Sequence, residues 1–127
     1  MELMKLEIVT PEGVIFDDEV KQVTIPGSEG EFGVLAGHAA VVSLLDTGVI
    51  TIERKDNREV SVAINGGYVK VDEGKTLCMV DGAVALSGDD TNLAKALAEA
   101  KELLEKAQTS STTIAAAISK VEQIKKR

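Results

Sequence analysis

Any chemistry in this chain has to begin with His38 and Cys78, since it carries one histidine and one cysteine. Zinc sites usually draw three or four ligands from the protein, so these two do not make one. A Cys–His nucleophile pair is formally available. Cys78, however, lies inside Thr76-Leu77-Cys78-Met79-Val80, an apolar run in which a small buried thiol is the ordinary reading. His38 closes the run Gly27-Ser28-Glu29-Gly30-Glu31-Phe32-Gly33-Val34-Leu35-Ala36-Gly37-His38. There it reads either as a turn residue capping nearby backbone or as a contact for a partner.

The glycines at 27, 30, 33 and 37 invite comparison with a phosphate-binding loop. That loop needs a Gly-Lys-Ser/Thr ending that opens a helix. No such lysine follows here, the flanks read as strands, and Glu29 and Glu31 repel phosphate. The expectation is a tight exposed loop, because glycine tolerates positive φ. The acidic groups Asp17-Asp18-Glu19 and Asp89-Asp90 could serve as general acids or bases, but nothing nearby in sequence fixes a raised pKa. They read as solvated turns and caps. The residues by themselves assemble no self-sufficient active site, and no cofactor or metal is expected.

Composition narrows the partners. Of 127 residues, 44% are hydrophobic, enough for a packed core. The aromatics are Phe16, Phe32 and Tyr68, so the core is aliphatic and base stacking on nucleic acid is not expected. A net charge of −7 disfavours phosphate backbones and anionic lipid. The charge is uneven: residues 1–111 carry 10 basic and 20 acidic groups, whereas 112–127 carry Lys120, Lys125, Lys126 and Arg127 against Glu122. A basic tip on an acidic body suits an acidic partner, or complements the dipole of its own helix. One cysteine excludes an intrachain disulfide. Met1–Lys5 has no apolar signal core or Arg-rich leader, and no apolar run approaches a membrane span, so the expectation is a soluble protein made where it works, without direct membrane insertion.

Two regimes position these residues. Residues 1–85 are rich in Val, Ile and Gly with period-2 runs: Met4, Leu6 and Ile8; Val20, Val23 and Ile25; Val49–Ile52; Val60–Ile64; Val69–Val71; and Thr76–Val80. Pro11-Glu12-Gly13, Lys55-Asp56-Asn57-Arg58 and Asp72-Glu73-Gly74-Lys75 read as turns. The predicted fold is an all-β two-sheet sandwich. Residues 86–127 lose this pattern. Leu93, Leu97, Ala100, Leu104 and Ala107 recur at helical spacing, as do Ile114, Ala117, Ile118, Val121 and Ile124, with Thr109–Thr113 between them. The prediction is an α-helical hairpin after the sandwich, hinged at Ala85–Asp89, with Glu102 and Lys106 paired one turn apart.

Several motifs in order resemble the epsilon subunit family of bacterial and chloroplast F-type ATP synthases, called delta in mitochondria. They are Val9-Thr10-Pro11-Glu12-Gly13 with Phe16, the loop Pro26–Leu35, Gly37-His38-Ala39, and Asn65-Gly66-Gly67-Tyr68-Val69-Lys70-Val71. Ala40 stands where the family usually has proline. The resemblance covers essentially the whole chain. It implies a non-catalytic central-stalk rotor subunit, peripheral on the cytoplasmic face of the bacterial inner membrane, coupling proton flow to ATP synthesis. It implies that the sandwich grips the gamma subunit and the c-subunit rotor ring through Glu29, Glu31, Phe32 and His38. It further implies a mobile hairpin whose Lys120, Lys125, Lys126 and Arg127 face the alpha/beta catalytic head and restrain hydrolysis.

Family members that sense ATP carry, at the start of the first C-terminal helix, an aliphatic residue, Asp, two variable residues, Arg and Ala. The matching stretch here is Thr91-Asn92-Leu93-Ala94-Lys95-Ala96, with Asn92 for the acid and Lys95 for the arginine. Lysine offers no planar bidentate fork, so weak or no ATP binding is expected. A free-standing β-sandwich binding or adaptor module with a helical appendage is the alternative. A sugar- or peptide-binding groove would want more than one exposed aromatic, and a jelly-roll enzyme would want clustered ligands.

Overall fold

The Val- and Ile-rich regime builds strands and the Ala-rich regime builds helices in the computed structural model, which describes residues 2–86, 90–107, 109 and 111–125. The strands are β1 (Met4–Thr10), β2 (Gly13–Gly27), β3 (Gly30–Leu35), β4 (Val41–Arg54), β5 (Glu59–Asp72), β6 (Lys75–Val80) and β7 (Ala83–Leu86). The helices are α1 (Asp90–Glu105) and α2 (Ser111–Lys125). The order of pairing is β1-β6-β5-β4-β2-β3, with β7 on β5 and with β1 also paired to β2. That last pairing brings the sheet back onto itself, giving a sandwich with barrel-like closure.

Three strands depart from the sequence expectation. β2 takes in Asp17-Asp18-Glu19, which are strand residues and not a turn. Two of the three carboxylates have partners from other elements: Lys5 reaches Asp17 at 2.7 Å, and Arg54 and Lys55 lie 3.5 and 3.8 Å from Asp18. The hydrogen bond from Lys5 to Asp17, then the charge of that carboxylate, holds the Lys5 pKa above its ordinary value. The run read as a glycine loop is a hairpin: β3 pairs with β2 from Gln22↔Leu35 to Gly27↔Gly30, around a turn at Ser28-Glu29. β7, with Ala83, Val84, Ala85 and Leu86 in register with Ile64–Ser61, has no sequence expectation behind it. Ala85 and Leu86, read as hinge, are strand residues.

Strand β5 changes face at Gly66-Gly67. Val62 and Ile64 point into the core before the pair, whereas Val69 and Val71 do after it. Even positions face inward on one side and odd positions on the other. The glycines permit this with φ of 112° and 145°, a region closed to most L side chains. At Gly67 a Cβ would sit 2.2 Å from the Met79 carbonyl oxygen. The same switch occurs in β4, where Leu45 is inward on one side of Gly48 and Ile50 and Ile52 on the other.

The main core lies between the layers and is aliphatic: Met4, Leu6, Ile8, Val23, Ile25, Ile50, Ile52 and Ile64 are 0–1% exposed. A second core forms where the helices cover the outer face of β4, β5 and β7. Leu97, Ala100 and Leu104 of α1 and Ala117 and Val121 of α2 meet Val49, Ala63 and Leu86 there. This explains why Val49–Ile52 and Val60–Ile64 are buried on both faces. The α2 seam is narrower than its periodicity suggests. Val121 and Ala117 are buried, Ile114 and Ile118 are only half-buried, and the side chain of Ile124 lies outside the described residues. Fully burying Val121 gains about 1.5–3 kcal/mol, and the smaller or half-buried neighbours gain less.

Candidate functional site

The helices cover one outer face of the sandwich and leave the other bare. On the bare face the ladders align apolar side chains from five strands. Leu44 of β4 pairs with Tyr68 of β5, Tyr68 with Met79 of β6, Met79 with Val9 of β1, and Val9 with Val14 of β2. Paired residues in a ladder share a face. Leu44 is 66% exposed, Val14 58% and Tyr68 43%, while Val9 and Met79 are half-buried. The Tyr68 hydroxyl lies 3.8 Å from the Met79 sulfur. The neighbouring row is Val42, Lys70, Leu77, Glu7 and Asp17, in which Val42 is 70% exposed and the rest carry charge or half-buried apolar area. An apolar strip edged by charges has the make-up of an interface core with its polar rim. Sequence reasoning passes over this strip because its members come from distant strands, and only the exposed position of Tyr68 in its strand hints at it.

The residues singled out in sequence fall elsewhere. Glu29 is exposed at the turn between β2 and β3. Glu31, on β3, accepts an ion pair from Lys120 of α2. Phe32 is half-buried against the main core and lies over Gly27, so much of its area serves packing. His38 sits past the end of β3, where its backbone N–H donates to the Leu35 carbonyl at 3.1 Å. Its Nδ1 lies 2.7 Å from the Ala39 carbonyl oxygen; that oxygen is an acceptor, so Nδ1 is the donor and Nε2 is left unused in this contact. A shallow groove of about 360 Å3 runs beside it, lined by Gln22, Gly33, Leu35, Ala36 and Gly37.

The structure brings Glu31 and Lys120 together and keeps His38 and Cys78 apart. Cys78 is fully buried between the layers, and burial pushes its thiol up to about 12. A neutral core thiol and a surface imidazole do not form a nucleophile pair. Lys95 is exposed on α1. The side chains of Asn92 and Lys125, and all of Lys126 and Arg127, lie outside the described residues. Among the described residues, no group of three or more His, Cys, Asp and Glu is placed to hold a metal. No described helix is long and apolar enough to cross a membrane.

Comparison with known proteins agrees with this architecture. Residues 3–86 match the family described as ATP synthase, delta/epsilon chain, beta-sandwich domain. The ATP synthase epsilon chain of Sulfurovum sp. (strain NBC37-1) is 76% identical over 126 residues, covering 99% of this chain and 98% of that one. The ATP synthase epsilon chain of Campylobacter concisus (strain 13826) is 50% identical over 125 residues, covering 98% and 97%. Among solved structures, a chain of the Euglena gracilis mitochondrial ATP synthase matches with a TM-score of 0.63 at 28% identity, covering 96% of this chain and 74% of that one. A chain from the central stalk and c-ring of the Tetrahymena thermophila mitochondrial ATP synthase shares the fold with a TM-score of 0.55 at 14% identity, covering 98% and 96%. With the sandwich, the two appended helices and near full-length identity in agreement, the chain belongs to the epsilon-chain family of ATP synthases.

Proposed function

We propose that the chain acts as a non-catalytic rotor subunit on the cytoplasmic face of the membrane that holds the ATP synthase, with its work divided between sandwich and helices. The sandwich, through the end of β7 at Leu86, docks on the gamma subunit through the bare apolar face and the His38 region. The β2–β3 hairpin tip, with Glu29 and Glu31, meets the c-subunit ring. The segment after β7 regulates: released from the sandwich, its basic end with Lys120, Lys125, Lys126 and Arg127 reaches acidic surface on the alpha/beta head and restrains ATP hydrolysis.

The row Leu44–Tyr68–Met79–Val9–Val14 is the observation that carries this reading. Scattered apolar side chains are ordinary on any surface, but a contiguous row with Leu44 and Tyr68 in water suits the permanent grip that a stalk subunit needs. The regulatory half draws support from the thin seam under α2, since a segment held by little buried area is available to a competing partner.

Two measurements test the division. The full chain is titrated against a gamma-containing head complex; saturable association at micromolar concentration or below is expected, and its absence removes the docking reading in favour of a free-standing adaptor. Residues 89–127 are then deleted and ATP hydrolysis is assayed in the assembled complex. Faster hydrolysis at low salt, with a smaller difference at high salt, is expected of a basic brake. Unchanged hydrolysis would show that the helices serve assembly alone.

A further inference from the structure

Glu31 stands where the β2–β3 hairpin touches the helices, and its carboxylate is engaged by the Lys120 ammonium of α2. Both side chains are 45% exposed, so the pair is open to another cation brought to the hairpin tip. Beside the pair, an open groove of about 290 Å3 runs along the edge of the α2–sandwich contact, lined by Pro26, Gly48 and Val49 on one side and Thr112, Ala116 and Lys120 on the other. A helix edge that borders an open groove makes fewer dispersion contacts there, which raises the relative weight of polar contacts along that edge. Among the described residues such contacts include Lys120 to Glu31 and the Thr109 hydroxyl, which donates to the Asp46 carboxylate at 3.4 Å.

We propose that Glu31 is a shared carboxylate, holding α2 down through Lys120 in the free chain and yielding to a cationic group on the partner surface that meets the β2–β3 tip. Engagement of the tip then loosens α2. This rests on the reading of the tip as partner-facing. The coupling is physical: one carboxylate with one geometry cannot serve both cations at full strength. Loss of an exposed pair shifts an equilibrium by roughly 1.4- to 5-fold, a modest but usable bias on a thin seam. Occupancy of the tip and docking of α2 are therefore linked through a single side chain, with no motion required inside the sandwich.

The test follows amide hydrogen exchange across residues 111–125 in the full chain. Glu31→Gln and Lys120→Gln should each speed exchange there by roughly 1.4- to 5-fold. The double variant should go no further than either single one, and the swapped pair, Glu31→Lys with Lys120→Glu, should return toward the wild-type rate. Raising the salt should speed exchange more in the wild type than in Lys120→Gln, which keeps the Lys101–Glu122 pair between the helices as a screened contact on α2. Adding a purified gamma–c-ring subcomplex to the wild-type chain should bring α2 to the rate of free Glu31→Gln. Single variants that exchange as the wild type does overturn the proposal, as does a bound wild-type chain whose α2 keeps its free-state rate. If the subcomplex fails to bind at micromolar concentration while the variants still behave as expected, the pair holds α2 but the partner assignment, and the coupling with it, is overturned.

Discussion

Leu44 on β4 and Tyr68 on β5 stand opposite each other across the ladder, and both point away from the core into solvent. Their exposure separates binding from stability. Leu44→Asp removes little packing, so the denaturation midpoint should move by no more than about 0.5 kcal/mol equivalent. A charge at the centre of a desolvated patch should weaken association with the gamma-containing complex at least about tenfold. Lys55→Gln, in the turn after the opposite end of β4, should leave both unchanged. Equal weakening by the two substitutions, measured by titration, would move the docking site away from this row.

The reversal of inward face in β5 rests on Gly67. A Cβ there meets the Met79 carbonyl oxygen at 2.2 Å and the Val80 Cα at 2.7 Å, both backbone atoms that cannot swing aside, and φ is 145°. Gly67→Ala should therefore cost about 2–6 kcal/mol, combining overpacking with backbone strain. Gly33→Ala meets nothing within 4 Å and should change stability by less than about 1 kcal/mol. Urea midpoints of the two variants check the contrast, and similar midpoints would show that β5 shifts register at little cost.

Where local patterning and tertiary demand coincide, the fold is legible in sequence. Met4, Leu6 and Ile8 alternate and are all buried; Leu97, Ala100 and Leu104 keep helical spacing and form the α1 seam. Legibility fails where partners are distant. Asp17-Asp18-Glu19 look like a solvated turn until Lys5 and Arg54 arrive from other strands and Lys55 from the turn after β4. Gly30 and Gly33 look like loop residues because β3 gains its strand character only from pairing with β2. The apolar row is all but hidden in sequence, with Tyr68 its one hint. Val14, Leu44 and Tyr68 become neighbours in one surface only through four separate ladders, and the parity change at Gly66-Gly67 defeats a simple alternation rule.

Cys78 gives the chain an alkaline weakness. A freely solvated thiol loses its proton near 9.0, and burial in the fold pushes that of Cys78 up to about 12. The buried thiol keeps its proton where the unfolded chain has lost it, so its contribution is intact below pH 9 and declines as pH rises toward 12. The slope is about 1.4 kcal/mol per pH unit across that window. Stability curves of the wild type and Cys78→Ala should therefore converge above pH 9. Thiol reagents at pH 8 should label Cys78 only as fast as the sandwich opens. Rapid labelling of the native chain, or parallel pH curves, would contradict this.

Lys95 points to solvent from α1 while its neighbour Ala96 packs, half-buried, against the second core. In that register the position that a nucleotide-sensing relative gives to arginine faces away from the helix–sheet seam. A lysine there is a mobile point charge, unable to hold two phosphate oxygens in one plane. Thr91 and Asn92 supply neither an aliphatic wall nor a carboxylate at the two preceding key positions. The isolated chain titrated with MgATP should show no saturable shift of backbone amides below millimolar nucleotide. Lys95→Arg alone should not restore binding, because the fork would return without its acidic neighbour. Any response of the complex to nucleotide should then persist in Lys95→Ala, acting through the catalytic subunits. Saturation below millimolar ATP, centred on residues 90–96, would show that a lysine and an asparagine suffice and would place a nucleotide site on α1.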